Sequence, residues 1–148
     1  MNKALKPLLE ARWVDELLPT LEETQSLTGV LERALEEAKG PLKYPDTRYE
    51  LAYRAVITAA TIVVRAEGAR VHRQRHHEQT IRALQLLNIP GLSDRAAYYD
   101  ACRRKRNVSE YEMAGTVSES EARDLLQEAD RLAGAIREWL AREHGDLI

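Results

Sequence analysis

Between Leu51 and Val64 the chain reads LAYRAVITAATIVV, fourteen residues with a single charge, at Arg54. On a helix of that length, apolar and small side chains fall on nearly every side instead of along one stripe. Other elements must therefore enclose it. The run is shorter than the ~20 apolar residues that span a bilayer, and no other stretch approaches that length. This segment is expected to be the central, buried helix of the molecule. Around it Ala, Glu, Leu and Arg dominate, Phe is absent, and Gly and Pro are sparse. Such residues lose little freedom in a helix, which points to an all-α fold.

The 148 residues suit one domain with a substantial core. Leu5, Leu8, Leu9 and Trp13 recur at helical spacing and predict an N-terminal helical extension over residues 1–19, up to Pro19. A core bundle over residues 20–144 then follows. Its first helix runs from Thr20 to Lys39 and stops at Gly40-Pro41. The central helix is predicted to open near Asp46 or Thr47, where Thr47 and Glu50 have capping-box spacing, and to continue to about Ala69. A basic, His-rich helix is expected from Arg73 to Leu87, and a further one, capped by Ser93, ends near Arg106. Ser118 and Glu121 form a second capping-box pattern that starts the last amphipathic helix.

The formal net charge of −2 conceals an asymmetry. From Arg65 to Arg106 there are ten Arg or Lys against four acids; from Asn107 onward there are four Arg against ten acids. A basic middle segment is a surface for anions or nucleic acid, unless the acidic half neutralises it across the bundle or a dimer. The single Cys102 has no partner for an internal disulfide, and no secretory signal is visible, which together suit a reducing cytoplasm. A lone Cys is more often a small buried hydrophobe than a nucleophile.

No Gly-rich phosphate loop, Ser-centred elbow or paired-carboxylate pattern is present. His72 and His76 are four apart, a spacing that would put both on one helical face. No HExxH pattern or Cys partner accompanies them, so neither a metal site nor a cofactor is expected. Arg73, Arg75, His76 and His77 read instead as a basic face able to contact phosphate. The other concentration of chemistry is RRKRNVSEYEMAG, Arg103 to Gly115. Guanidinium groups grip phosphate oxygens bidentately, and Asn107 can both donate and accept. Tyr111 can stack on a base, but its ordinary pKa near 10 makes it a poor base at neutral pH. Cations at the negative end of a helix dipole are the plainer explanation, although capping needs only one or two of them.

The segment RYELAYRAVITAATIVVRAEGARV resembles the central helix of HEPN-domain proteins, and RRKRNVSEYEMAG resembles their Arg-Asn motif. The resemblance extends from about Thr20 to Leu140. It implies an antiparallel four- to five-helix bundle that commonly dimerises, often a metal-independent ribonuclease of the toxin type with a nucleotidyltransferase-like antitoxin as partner. In that family Arg neutralises the scissile phosphate, and a His four to six residues later moves protons. Carried over, Arg106 is the motif Arg, Asn107 the polar residue, and Tyr111 stands where the His belongs. Arg103, Arg104 and Lys105, with Arg73, Arg75, His76 and His77, are the implied RNA- or phosphate-binding residues. The missing proton carrier would have to come from His72, His76 or His77, or from Glu110 or Glu112. Tyr111 is a further position to consider for nucleotide modification. Two functions follow: an RNA- or nucleotide-binding HEPN protein, with or without ribonuclease activity, or a non-catalytic dimerisation and protein-interaction module.

Overall fold

The computed structural model describes residues 1–111 and 113–148, with only the backbone of Glu110 and Tyr111. Among the described residues the fold is mostly helical: α1 (Lys6–Glu10), α2 (Leu21–Lys39), α3 (Pro45–Ala66), α4 (His76–Leu87), α5 (Ala96–Tyr111) and α6 (Glu119–Glu143). Single 3₁₀ turns flank them at Lys3–Leu5 and Gly145–Leu147. The helical expectation holds for most of the chain, and a small antiparallel sheet adds to it, β1 (Val14–Glu16) paired with β2 (Ala69–Val71). None of the described helices is long and apolar enough to cross a membrane.

The all-round apolar segment behaves as its pattern demands. α3 packs against α2, α4, α5 and α6, and its buried residues include Ala52, Val56, Ala59, Ala60 and Val63. Small side chains let neighbouring helices approach closely on several sides at once. The helix begins at Pro45, whose fixed φ suits the first helical position. Thr47 thus lies inside the first turn, and Tyr44, without a side-chain cap, occupies the N-cap. The expected Thr47–Glu50 capping box is therefore absent, and Glu50 is available for another role. Arg48 closes the turn from α2 by donating to the carbonyls of Ala38 and Gly40 at 2.9 and 2.8 Å.

The small sheet explains two further departures. The N-terminal helix ends at Glu10 instead of reaching Pro19, because Arg12 turns the chain at φ 64° and Val14 enters the sheet opposite Val71. α3 likewise stops at Ala66, short of Ala69. Gly68 adopts φ +90° there, and a Cβ on it would lie 2.9 Å from the Cα of Met1. Only glycine fits that combination of left-handed backbone and close approach.

α4 begins at His76, not Arg73, since Arg75 turns left-handed at φ 53° in the N-cap position. Ser93 does not cap α5; its hydroxyl donates to the Leu84 carbonyl at 2.6 Å and accepts from the Ile89 amide, which ties off the end of α4. α5 continues past Arg106 to Tyr111, so the basic run lies within the helix and not at its end. The Ser118–Glu121 capping box is present, with both reciprocal bonds at 3.0 Å.

Candidate functional site

The turn over residues 73–75 and the start of α4 lie beside the middle of α5. Arg73, Arg75, His76, His77 and Glu78 line an open depression of about 370 Å³ together with Arg103 and Asn107. Arg103 and Asn107 are four residues apart on α5 and so share a face. The left-handed Arg75 sets the direction in which α4 departs. Three guanidinium groups against one carboxylate make the lining positive even before either histidine is protonated.

Behind the depression, a chain of side chains runs into α3. Glu50 accepts from Arg106 Nε at 2.6 Å and from Nη2 at 3.0 Å, a bidentate pair. The same guanidinium lies 5.5 Å from the ring centre of Tyr53, and its Nη1 is 3.4 Å from Asn107 Oδ1. The buried Tyr53 hydroxyl is 3.1 Å from His77 Nδ1. Burial pushes the Tyr53 phenol above its ordinary range, so it stays protonated. The hydroxyl either donates to Nδ1, leaving a proton on Nε2, or accepts from Nδ1–H, leaving Nε2 as a base. Burial also lowers the pKa of His77, and the Arg106 charge adds to that shift. His76, 6.0 Å away ring to ring, is lowered by burial as well. Both imidazoles are thereby held towards the neutral form.

The basic run is less open to a ligand than its sequence suggests. Arg103 Nε donates to Asp100 at 2.9 Å, and Arg104 pairs with the other oxygen of the same carboxylate. Lys105 reaches Glu121 at 2.7 Å, tying α5 to the start of α6. Part of the basic segment is thus neutralised within the fold by its own helix, by α3 and by the acidic last helix. Of the expected residues, Arg73, Arg75, His76, His77, Arg103 and Asn107 come together. Arg106 instead lines an adjoining hollow with Asp46, Thr47, Tyr49 and Ser109, and Arg104 lines a larger cavity towards the N-terminus. The side chains of Tyr111 and Glu110, and all of Glu112, lie outside the described residues.

His72 is directed elsewhere. It precedes the turn, outside α4, and its Nε2 is 3.0 Å from Asp15 Oδ1, so His72 and His76 do not share a helix. Among the described residues no three His, Cys, Asp or Glu side chains group as a metal site would require. Cys102 is buried, and burial raises its thiol pKa, which suits a core residue and not a nucleophile.

Sequence reasoning missed Glu50, Tyr53 and Asp100. Asp100 was visible in principle, three and four residues before its two arginines. Glu50 and Tyr53 reach their partners across 56 and 24 residues, and no local pattern encodes either contact.

The model of the SAV_6107-like HEPN family matches residues 41–137, which span α3, α4, α5 and most of α6. No curated protein and no solved structure matches the chain.

Proposed function

The chain belongs to the SAV_6107-like HEPN family, and from that premise we propose that it binds RNA through the depression between α4 and α5, with His77 as the proton carrier that the Arg-Asn motif lacks. The observation carrying this reading is that His76 and His77 line one hollow with Arg73, Arg75, Arg103 and Asn107. Arg75 and Arg103 neutralise non-bridging phosphate oxygens, and Asn107 orients a ribose hydroxyl. His77, oriented through Nδ1 by Tyr53, takes the proton of the 2′-hydroxyl as its oxygen attacks phosphorus. His76, whose imidazolium form the bound phosphate favours over the neutral one, returns a proton to the departing 5′-oxygen as the P–O5′ bond breaks, leaving a 2′,3′-cyclic phosphate and a 5′-hydroxyl. Arg106 is a positioning residue in this scheme, acting through Glu50, Tyr53 and Asn107.

A toxin role, a nucleotidyltransferase-like antitoxin and a homodimer are finer forms of the same proposal, and a cytoplasmic setting goes with them. RNA affinity should fall with salt at a slope of about −2 on logarithmic axes, since ~0.7 counterion is released for each of the three arginines that line the depression, Arg73, Arg75 and Arg103. Arg75→Glu with Arg103→Glu should abolish the binding, and unchanged affinity would sink the reading. RNA cleavage that survives His77→Ala would remove His77 from the chemistry.

The carboxylate partners of Arg103, Arg104, Lys105 and Arg106 support a second reading, a non-catalytic interaction module. Failure to bind or cleave RNA, together with self-association or capture of a protein partner, would favour it.

A further inference from the structure

We infer that the larger cavity next to the basic depression is a nucleobase subsite, where Trp13 stacks an unpaired base of the RNA strand whose phosphate the depression grips. This rests on the RNA-binding reading above. The cavity measures about 560 Å³ and lies between the N-terminal segment, α4 and α5. Leu8, Trp13 and Leu86 give it an apolar wall, and Gln85, Glu78 and Asp100 supply polar edges.

The two hollows adjoin. Glu78 lines both of them. Arg75, a lining residue of the basic depression, holds its guanidinium 5.9 Å from the Trp13 ring centre. Asp100, on the wall of the larger cavity, pairs with Arg103 in the basic one. A strand held at Arg75 and Arg103 therefore has the larger cavity immediately beside its gripped phosphate.

The charges sort the parts of a nucleotide between the hollows. Arg104 in the larger cavity is already paired with Asp100, and Arg82 and Glu78 add one charge of each sign, so its lining carries no net charge. A phosphate therefore favours the positive depression, while the carboxylates of the larger cavity accept hydrogen bonds from the N–H groups of a base edge. An indole face beside an arginine is a sequence-tolerant platform for a base, because every base has a π-face. The single aromatic ring suits one unpaired base, not a duplex.

The test uses the full chain with a short oligoadenylate, 2′-O-methylated to remove the attacking hydroxyl, and the same strand carrying abasic sites. Trp13 and Trp139 are the two tryptophans, and Trp139 is 4% exposed in the core, so its emission is a constant background. Strand binding is read by anisotropy and base insertion by tryptophan quenching. The base-bearing strand should quench, and Trp13→Ala should bind it roughly 5- to 150-fold more weakly with an unchanged salt slope. The abasic strand should bind wild type and Trp13→Ala equally without quenching. Trp13→Phe, which keeps a ring, should recover most of the affinity, with thermal melts checking that both variants fold. Strand binding with no quenching and no loss in Trp13→Ala overturns the subsite while leaving the RNA-binding reading intact. A folded Trp13→Phe as weak as Trp13→Ala overturns stacking. No binding of either strand by wild type overturns the RNA-binding reading and the subsite with it.

Discussion

Replacing Glu50 with Ala should destabilise the fold by about 2 kcal/mol, a value intermediate between two regimes. Exposed ion pairs are worth about 0–1 kcal/mol, whereas removing one partner of a buried pair costs about 3–5 kcal/mol. The Arg106 side chain is 16% exposed and that of Glu50 34%, and their contact is bidentate. Glu50→Ala removes both acceptors and leaves the guanidinium under Tyr53 without this partner. For a chain of this size, each kcal/mol moves the melting midpoint by roughly 2–4 °C, so a fall of about 4–8 °C is expected. Glu50→Gln keeps an acceptor but not the charge and should cost about half as much. A double-mutant cycle with Arg106→Ala should return a coupling of about 1–2 kcal/mol from urea denaturation. The folded Glu50→Ala variant should lose RNA cleavage more than RNA affinity, since Glu50 and Arg106 lie outside the basic depression and act on it through Tyr53 and Asn107. A cost below about 0.5 kcal/mol, or an additive cycle, would refute the reading of Arg106 as a residue held in place by Glu50.

Other expectations follow from the same geometry. His76 and His77 have lowered pKa values in the fold, so the unfolded chain binds more protons once pH falls through about 6.5. Their contribution to stability is full above that value and is lost progressively below it; His77→Gln should flatten the slope of urea midpoint against pH. RNA affinity should move the other way and rise as pH falls through this window, because bound phosphate favours the imidazolium form. Gly68→Ala should cost about 2 kcal/mol or more in a thermal melt, from the positive φ and the contact with Met1. Ser118→Ala should cost about 1 kcal/mol by loss of the α6 capping box, measured by urea denaturation.

What the chain disclosed in advance tracks how local the physics is. The enclosure of α3 was readable because an all-round apolar helix has no alternative, and the α6 cap because Ser118 and Glu121 satisfy each other three residues apart. The sheet was not readable: Val14–Glu16 and Ala69–Val71 are three residues each, too short for a period, and they pair across more than fifty positions. The start of α4 depended on Arg75 entering left-handed space, which arginine rarely does. At the site, the residue types were legible and their grouping only in part. Arg103 and Asn107 share a helical face by spacing, but their meeting with His76 and His77 depends on how α4 and α5 cross. The cations of the basic run looked available because Glu50 and Glu121 come from distant segments.

The most direct measurement is a residue-resolved NMR titration of the full chain with the 2′-O-methylated oligoadenylate, following backbone amides, the His77 imidazole and the arginine side chains. If the depression between α4 and α5 is the RNA site, shifts will concentrate at residues 73–77 and at Arg103 and Asn107, and the His77 ring will move towards its protonated form. Shifts confined to the Arg106 hollow around Asp46 and Thr47, or no shifts at strand concentrations that saturate other RNA-binding domains, would contradict the account.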